Sequence, residues 1–290
     1  MKNFKGKVAV ITGGASGIGR AIADRCVHEG MNVVLADVEE DSLVEAETEL
    51  TASGGTVLAV RTDVSKRADV ERLARQAFDA FGQVHLLFNN AGVAAGGAAW
   101  EATWNDWEWV IGVNLWGVIH GVKVFAPLML AQNTECHIVN TASAAGLIVG
   151  SGSAPYAVTK HAVVALSESL YLALQQRNSP LKISVLCPGL VRTNIINVER
   201  NRPAALCNEP VPLSPEMEAG RAAFKAAMEV SMPPVQVADV VFDAIQKEQF
   251  YILSHPEWME VVQLRTEKLL RMENPGDPMS AIIKLMKPRA

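Results

Sequence analysis

Short apolar runs recur along the chain, at residues 7–11, 32–36, 56–61, 85–88, 136–142, 182–187 and 250–254. Each is brief and almost continuously apolar, the pattern of a strand buried on both faces. Helical spacing fills nearly all the gaps, as in Val163, Leu166, Leu170 and Leu174 within a stretch of good helix formers. Strands alternating with helices over short connections predict an α/β fold, a single-domain, Rossmann-like, doubly wound parallel sheet with helices on both faces. Ligands of such a sheet gather where the strands end. The domain is expected to span 1–255. Within it, about 190–234 is rich in Pro, Asn, Ala and Met and reads as an irregular lid over substrate. Residues 256–290 read as an extension packed on the same domain, helical over 258–272 and then interrupted by Pro275, Pro278 and Pro288.

The first apolar run feeds Thr12, Gly13, Gly14, Ala15, Ser16, Gly17, Ile18 and Gly19. A glycine-rich turn between a strand and a helix lets backbone amides approach a pyrophosphate at the helix N-terminus. Gly13, Gly17 and Gly19 give the spacing Gly-x-x-x-Gly-x-Gly rather than Gly-x-Gly-x-x-Gly. Asp37 closes the second run, where a carboxylate accepts hydrogen bonds from adenosine ribose hydroxyls and repels a 2′-phosphate. The positions that would hold a basic partner for that phosphate are Ser16 and Val38. NAD is therefore expected over NADP.

Tyr156 and Lys160 stand four residues apart, on one face if the segment is helical. A free phenol is a weak base, with a pKa of about 10, and a nearby ammonium makes it a better one. Ser143 lies upstream as an orienting hydroxyl, with Thr141, Ser151 and Ser153 as competitors for that role.

With these residues, the series Asp63 and Val64, Asn89, Asn90, Ala91 and Gly92, Asn114, and Pro188 with Gly189 completes an ordered set of motifs. The chain resembles the short-chain dehydrogenase/reductase family over roughly its first 255 residues. The resemblance implies NAD-dependent interconversion of a secondary alcohol and a ketone, with Tyr156 as acid and base. Lys160, together with the positively charged nicotinamide, would lower the tyrosine pKa and would also bind the nicotinamide ribose, and Ser143 would donate to the substrate oxygen. Asn114 would hold a water linking Lys160 to solvent. The resemblance also implies adenine contacts at Asp63 and Val64, a cofactor-facing Asn90, Ala91 and Gly92, and nicotinamide contacts near Pro188, Gly189, Val191 and Thr193. A homotetramer or homodimer would form through helices around 107–130 and 156–176. The alternatives are an NADP-dependent carbonyl reductase, against which Asp37 argues, and an idle NAD(H)-binding sensor or scaffold, which would have no need of Ser143, Tyr156 and Lys160.

Composition narrows the partners. The 290 residues carry a net charge of −5 with 26 dispersed basic residues, so no nucleic acid is expected. No run of about 18 apolar residues suggests a membrane span, and Met1 to Lys7 leads straight into a strand, which points to the cytoplasm. The four cysteines and six histidines lack metal-ligand spacing, so no metal is expected, and Cys136 and Cys187 read as buried apolar residues. Arg192, Arg200 and Arg202 read as solvated lid charges in preference to a carboxylate clamp. The cluster Trp100, Trp104, Trp107, Trp109 and Trp116 reads as packing against a helix or subunit in preference to a ring-binding pocket. His161 is expected to face away from the chemistry. The apolar residues of 190–234 suggest an apolar substrate.

Overall fold

A computed structural model describes residues 1–209, 214–278 and 281. Seven strands form one parallel sheet in the order β3-β2-β1-β4-β5-β6-β7. They are β1 (Val8–Thr12), β2 (Asn32–Asp37), β3 (Thr56–Arg61), β4 (Leu86–Asn89), β5 (Cys136–Thr141), β6 (Leu181–Cys187) and β7 (Tyr251–Leu253). The runs read from sequence are these strands, with ends shifted by a residue or so.

Period-two alternation sorts the side chains of each strand onto two cores. Ala9 and Ile11 of β1 join one core with Ile22 of α1 (Gly17–His28), Leu43 of α2 (Glu40–Ala52) and Val241 of a helix over Pro234–Gln246. Val8 and Val10 join the other, with Leu73 of α3 (Arg67–Phe81), Phe125 of a helix over Gly117–Ala131 and Leu174 of a helix over Ala154–Gln176. Both faces of the sheet are thus covered, as the continuous apolar strands require.

The next helices in chain order form one continuous rod. α4 (Trp104–Val110) passes through a wider π-helical turn at Ile111–Trp116 into α5 (Gly117–Ala131). A reciprocal capping box starts it: Thr103 Oγ1 accepts from the Asp106 amide, while the Asp106 carboxylate accepts from the Thr103 amide. This rod of 28 residues, with a mean hydropathy of 1.4 in its most apolar window, is long and apolar enough to cross a membrane by length and composition. That departs from the expectation that no segment would qualify. Here the rod lies on the sheet face, with Gly117 against Val64 and Gly121 against Asn89.

The segment after β6 departs from its reading as irregular. It contains short 3-10 turns at Asn194–Ile196, Val198–Asn201 and Ala204–Leu206, and then α7 (Pro215–Glu229). Pro215 sits at the first helical position, where its missing N–H costs nothing, and alanines follow. The composition that suggested irregularity is that of a helix. Residues 210–213 of the expected lid lie outside the described residues. The chain continues into α8 (Pro234–Gln246), β7 and α9 (Met259–Leu270), with α6 (Ala154–Gln176) between β5 and β6. α9 packs Val261 onto Ile148, beside Trp258 and Val262. Pro288 lies outside the described residues.

Arg202 is not a solvated charge. Its guanidinium is buried, pairs with Asp106 Oδ1 at 2.6 Å and Glu199 at 2.7 Å, and lies 4.4 Å from the centre of the Trp109 ring. Asn208 Nδ2 also donates to Asp106 Oδ1 at 2.9 Å, so the segment after β6 is fastened to the start of α4. Arg200 pairs with Glu39 at 2.8 Å. Among the tryptophans, Trp109 packs against Ala95, Val110 and Leu206. Trp100 and Trp104 are 86% and 89% exposed.

The contact between α5 and β4 gives a sharp test. A Cβ on Gly121 would stand 1.9 Å from Asn89 Oδ1, and the Asn89 amide is fixed by its 2.8 Å hydrogen bond to Asn140. Gly121→Ala is expected to cost about 2 kcal/mol or more and to lower Tm by roughly 4–8 °C in a thermal melt. An unchanged Tm would mean that α5 does not approach the sheet this closely.

Candidate active site

The glycine turn is braced from behind by side chains of neighbouring strand ends. Thr12 Oγ1 donates to Phe88 O at 3.2 Å and accepts from the amides of Asn90 at 2.9 Å and Ala91 at 3.1 Å. Asn90 Nδ2 donates to Thr12 O at 3.1 Å and Gly13 O at 3.3 Å. Asn90 therefore clamps the turn rather than standing free, and Thr12 is a tie that the motif spacing alone did not identify. Gly13 and Gly17 have φ of +64° and +56°, in the left-handed region that favours glycine. A Cβ on Gly19 would lie 2.0 Å from Gly13 O, so only glycine lets α1 begin this close to the turn. Ser16 precedes that first helical turn and Ile18 packs on the core.

Asp37 ends β2 beside this turn. Its carboxylate accepts from the amides of Ala15 at 3.1 Å and Glu39 at 3.2 Å. Burial pushes its pKa up, and the amide hydrogen bonds work against that. Asp63 folds back on its own loop, with Oδ1 accepting from the Ser65 amide and hydroxyl at 3.0 and 2.6 Å. The Val64 side chain lies against Gly117 and its carbonyl accepts from His120 Nδ1 at 2.9 Å. Thr193, just past β6, stands across from Gly17: a Cβ there would be 3.1 Å from Thr193 Cγ2. Val191 is buried and bridges to Met232. A backbone cradle lined by glycines, closed by Thr193 and flanked by a half-buried carboxylate fits a dinucleotide.

The Tyr156, Lys160 and Ser143 side chains meet at the ends of β5 and β6. Both Tyr156 and Lys160 sit on α6, and Lys160 Nζ lies 5.5 Å from the Tyr156 ring centre. Lys160 is only 3% exposed, and its ammonium donates to Thr141 O at 3.0 Å. Burial lowers its pKa to about 8. Tyr156 is partly buried, and burial raises its pKa while a hydrogen bond with Ser143 works against that rise. Without a ligand the phenol is thus a proton donor.

The geometry also separates the rival hydroxyls. Ser153 Oγ donates to Ala95 O at 3.2 Å, and Thr141 Oγ1 donates to Asn90 Oδ1 at 3.4 Å. Ser151 is exposed. Of the four, Ser143 is the one that acts on the Tyr156 phenol, holding its pKa down against burial. Its Oγ accepts from the Ala145 amide at 3.1 Å and donates to Pro188 O at 3.4 Å.

Asn114 lies in the π-helical turn and is fully buried. Its Oδ1 accepts from the Val93 amide at 2.8 Å, and its Nδ2 donates to Val93 O at 2.9 Å and Thr159 Oγ1 at 3.3 Å. These bonds tie the π-helical turn to the loop after β4 and to α6. Gly92 passes close by: a Cβ there would be 3.5 Å from both Asn114 Oδ1 and Lys160 Nζ. His161 turns back to Ala157 O at 2.9 Å, away from Tyr156. Cys136 and Cys187 are buried, and no cluster of three or more metal-ligating side chains occurs among the described residues.

Comparison with known proteins agrees with this assembly. Residues 7–203 match the family model described as short chain dehydrogenase. A CLA biosynthesis dehydrogenase/reductase of Lactiplantibacillus plantarum is 36% identical over 272 residues, covering 93% of this chain and 95% of that protein. A 1-deoxy-11-beta-hydroxypentalenate dehydrogenase of Streptomyces exfoliatus is 36% identical over 253 residues, covering 87% and 84%. A short-chain dehydrogenase/reductase of Burkholderia phymatum, solved in complex with NAD, superimposes with a TM-score of 0.92 at 49% identity, over 96% of this chain and 99% of that one. A glycine-lined cradle, the Tyr156–Lys160 pair and similarity across nearly the whole chain lead to one conclusion: the protein belongs to the short-chain dehydrogenase/reductase family of oxidoreductases.

Proposed function

We infer that this protein is an NAD-dependent dehydrogenase that interconverts a secondary alcohol and a ketone, with Tyr156 as acid and base. The observation that carries this reading is the Tyr156 phenol with the buried Lys160 ammonium 5.5 Å from its ring centre and Ser143 acting on its proton. Gly13, Ser16, Gly17, Ile18 and Gly19 would hold the pyrophosphate, Asp37 the adenosine ribose, and Asp63 with Val64 the adenine. Asn90, Ala91, Gly92, Pro188, Gly189, Val191 and Thr193 would line the remainder, with Lys160 on the nicotinamide ribose. NAD supplies the hydride acceptor when bound. The relative solved with NAD and the half-buried Asp37 carboxylate both favour it over NADP.

Ser143 donates to the substrate oxygen and stabilises charge there, a contribution of about 3 kcal/mol in comparable donor sites. Tyr156 exchanges its proton with the same oxygen. As found, the phenol is protonated and suited to reduction; oxidation requires a positive charge nearby to lower its pKa further. Asn114 holds the loop after β4 through Val93, which leaves its main-chain carbonyl as the group for a water relay. A relative named for an alcohol, 11-beta-hydroxypentalenate, supports a hydroxylated, largely apolar substrate. Exposed Leu128, Val158 and Leu172 on α5 and α6 support a homodimer or homotetramer.

Tyr156→Phe is expected to lower kcat by at least about 1,000-fold while NADH binding persists by fluorescence titration. Near-normal turnover across secondary alcohols would remove Tyr156 from the chemistry. Asp37→Ser is expected to shift the ratio of kcat/KM for NAD over NADP toward NADP by roughly 30-fold, the equivalent of about 2 kcal/mol for a charged hydrogen-bond acceptor. An unchanged ratio would place the discrimination elsewhere.

Lys160 also makes a stability prediction. Its folded pKa of about 8 lies below the unfolded value, so burying the ammonium costs stability wherever both states are protonated. That cost is complete below about pH 8 and is relieved as pH rises from about 8 toward about 10.4. Lys160→Met is expected to raise the Tm of the ligand-free protein by about 4 °C at pH 7, with the gain shrinking by pH 9.5 while activity is lost. A lower Tm for the variant at pH 7 would show that the Thr141 hydrogen bond outweighs desolvation.

A further inference from the structure

β7 contributes more than an edge strand. It pairs with β6 so that Cys187 stands opposite Leu253, and the residues that follow, Pro188–Gly189 and Ser254–His255, leave the sheet side by side. The Gly189 amide would be unpaired at such a strand end. It donates instead to His255 Nδ1 at 3.2 Å and toward Ser254 Oγ at 3.4 Å, while Ser254 Oγ and His255 Nδ1 stand 2.8 Å apart. An amide only donates, so Nδ1 carries no proton and the imidazole proton belongs to Nε2. The ring is held by Trp258, whose centroid lies 5.6 Å away.

The same peptide unit points its other end at the reacting groups. Pro188 O, in plane with the Gly189 N–H, accepts from the Ala144 amide at 2.7 Å and from Ser143 Oγ at 3.4 Å. One rigid peptide thus links the His255 imidazole on one side to the Ser143 hydroxyl on the other. Gly189 must lack a side chain for this, because a Cβ would lie 2.7 Å from His255 Cγ. The cavity beside the ring, between Leu147, Cys187 and Trp258, holds only about 10 Å³, so the imidazole has little room to leave.

We propose that His255 is a positioning residue: by accepting from the Gly189 amide it sets the plane of the Pro188–Gly189 peptide, and so the hydroxyl of Ser143 and the wall against which substrate and cofactor meet. This rests on the dehydrogenase reading of the site. It gives the segment after β7 a part in the reaction although no side chain of that segment need touch substrate.

The test compares three forms of the full-length protein. His255→Leu fills the space without an acceptor, whereas His255→Asn places an amide oxygen near the position of Nδ1. His255→Leu is expected to lower kcat by roughly tenfold to a hundredfold, with the Kd for NADH changed less than about threefold. His255→Asn is expected to recover kcat to within about threefold of the wild type. In the ligand-free proteins, exchange of the Gly189 amide hydrogen should quicken in the Leu variant and stay slow in the Asn variant. Equal impairment of both variants with parallel losses of Tm would overturn the proposal in favour of simple packing, as would wild-type kcat in His255→Leu. If His255→Leu does not fold, His255→Gln replaces it, since its longer amide does not reproduce the Nδ1 position and should lose activity where Asn keeps it. A wild-type protein that oxidises no secondary alcohol with NAD would defeat the dehydrogenase reading instead, and Gly189 exchange would still decide whether His255 holds the peptide.

Discussion

Every strand of this sheet runs in the same direction, and that constraint places everything else. Parallel strands all finish at one edge, so groups separated by more than a hundred residues in sequence are delivered to one crevice. Asp37 leaves β2, Asn90 follows β4, Ser143 follows β5 and Pro188 follows β6. At a strand end the backbone groups lose their ladder partners, and here side chains satisfy them: Thr12 accepts two amides, Asn90 donates to two carbonyls and His255 accepts the Gly189 amide. The edge of the sheet is therefore a polar seam built on a dry core, and the candidate chemistry sits along it.

The seam carries an energetic conflict at Lys160. An ammonium that is 3% exposed, with one carbonyl partner, is not placed there for stability. Its cost is tolerated because two apolar cores on the faces of the sheet stabilise the whole domain. The neighbouring phenol shows the same conflict, with burial raising its pKa and the Ser143 hydrogen bond working against that rise.

Around the seam, the segment after β6 is fastened by charge as well as by apolar contacts such as Leu206 on Trp109. Arg202 reaches Asp106, Glu199 and the Trp109 ring, and Arg200 reaches Glu39 two residues beyond Asp37. A guanidinium suits this task because its planar fork serves several acceptors and its face stacks on an aromatic ring. The segment after β6 consequently touches both the start of α4 and the far end of the cofactor cradle.

The order of elements, the strand ends and the meeting of Ser143, Tyr156 and Lys160 at one place were legible in the sequence, because a buried parallel strand must be continuously apolar and a close approach to phosphate or helix demands glycine. The same local rules misread 190–234, where prolines and asparagines obscured α7, and misjudged Arg202, because solvation is the ordinary fate of an isolated arginine and nothing local announces a carboxylate 96 residues away. Nor did they show that the Asn114 side chain is bound to Val93 and Thr159. Sequence determined which residues are able to do chemistry, since that depends on residue type and near-neighbour spacing. Only the tertiary structure decided which hydroxyl meets Tyr156, how deeply Lys160 is buried and what holds Gly189, because hydrogen-bond partners and desolvation are set by chain segments that come together only on folding.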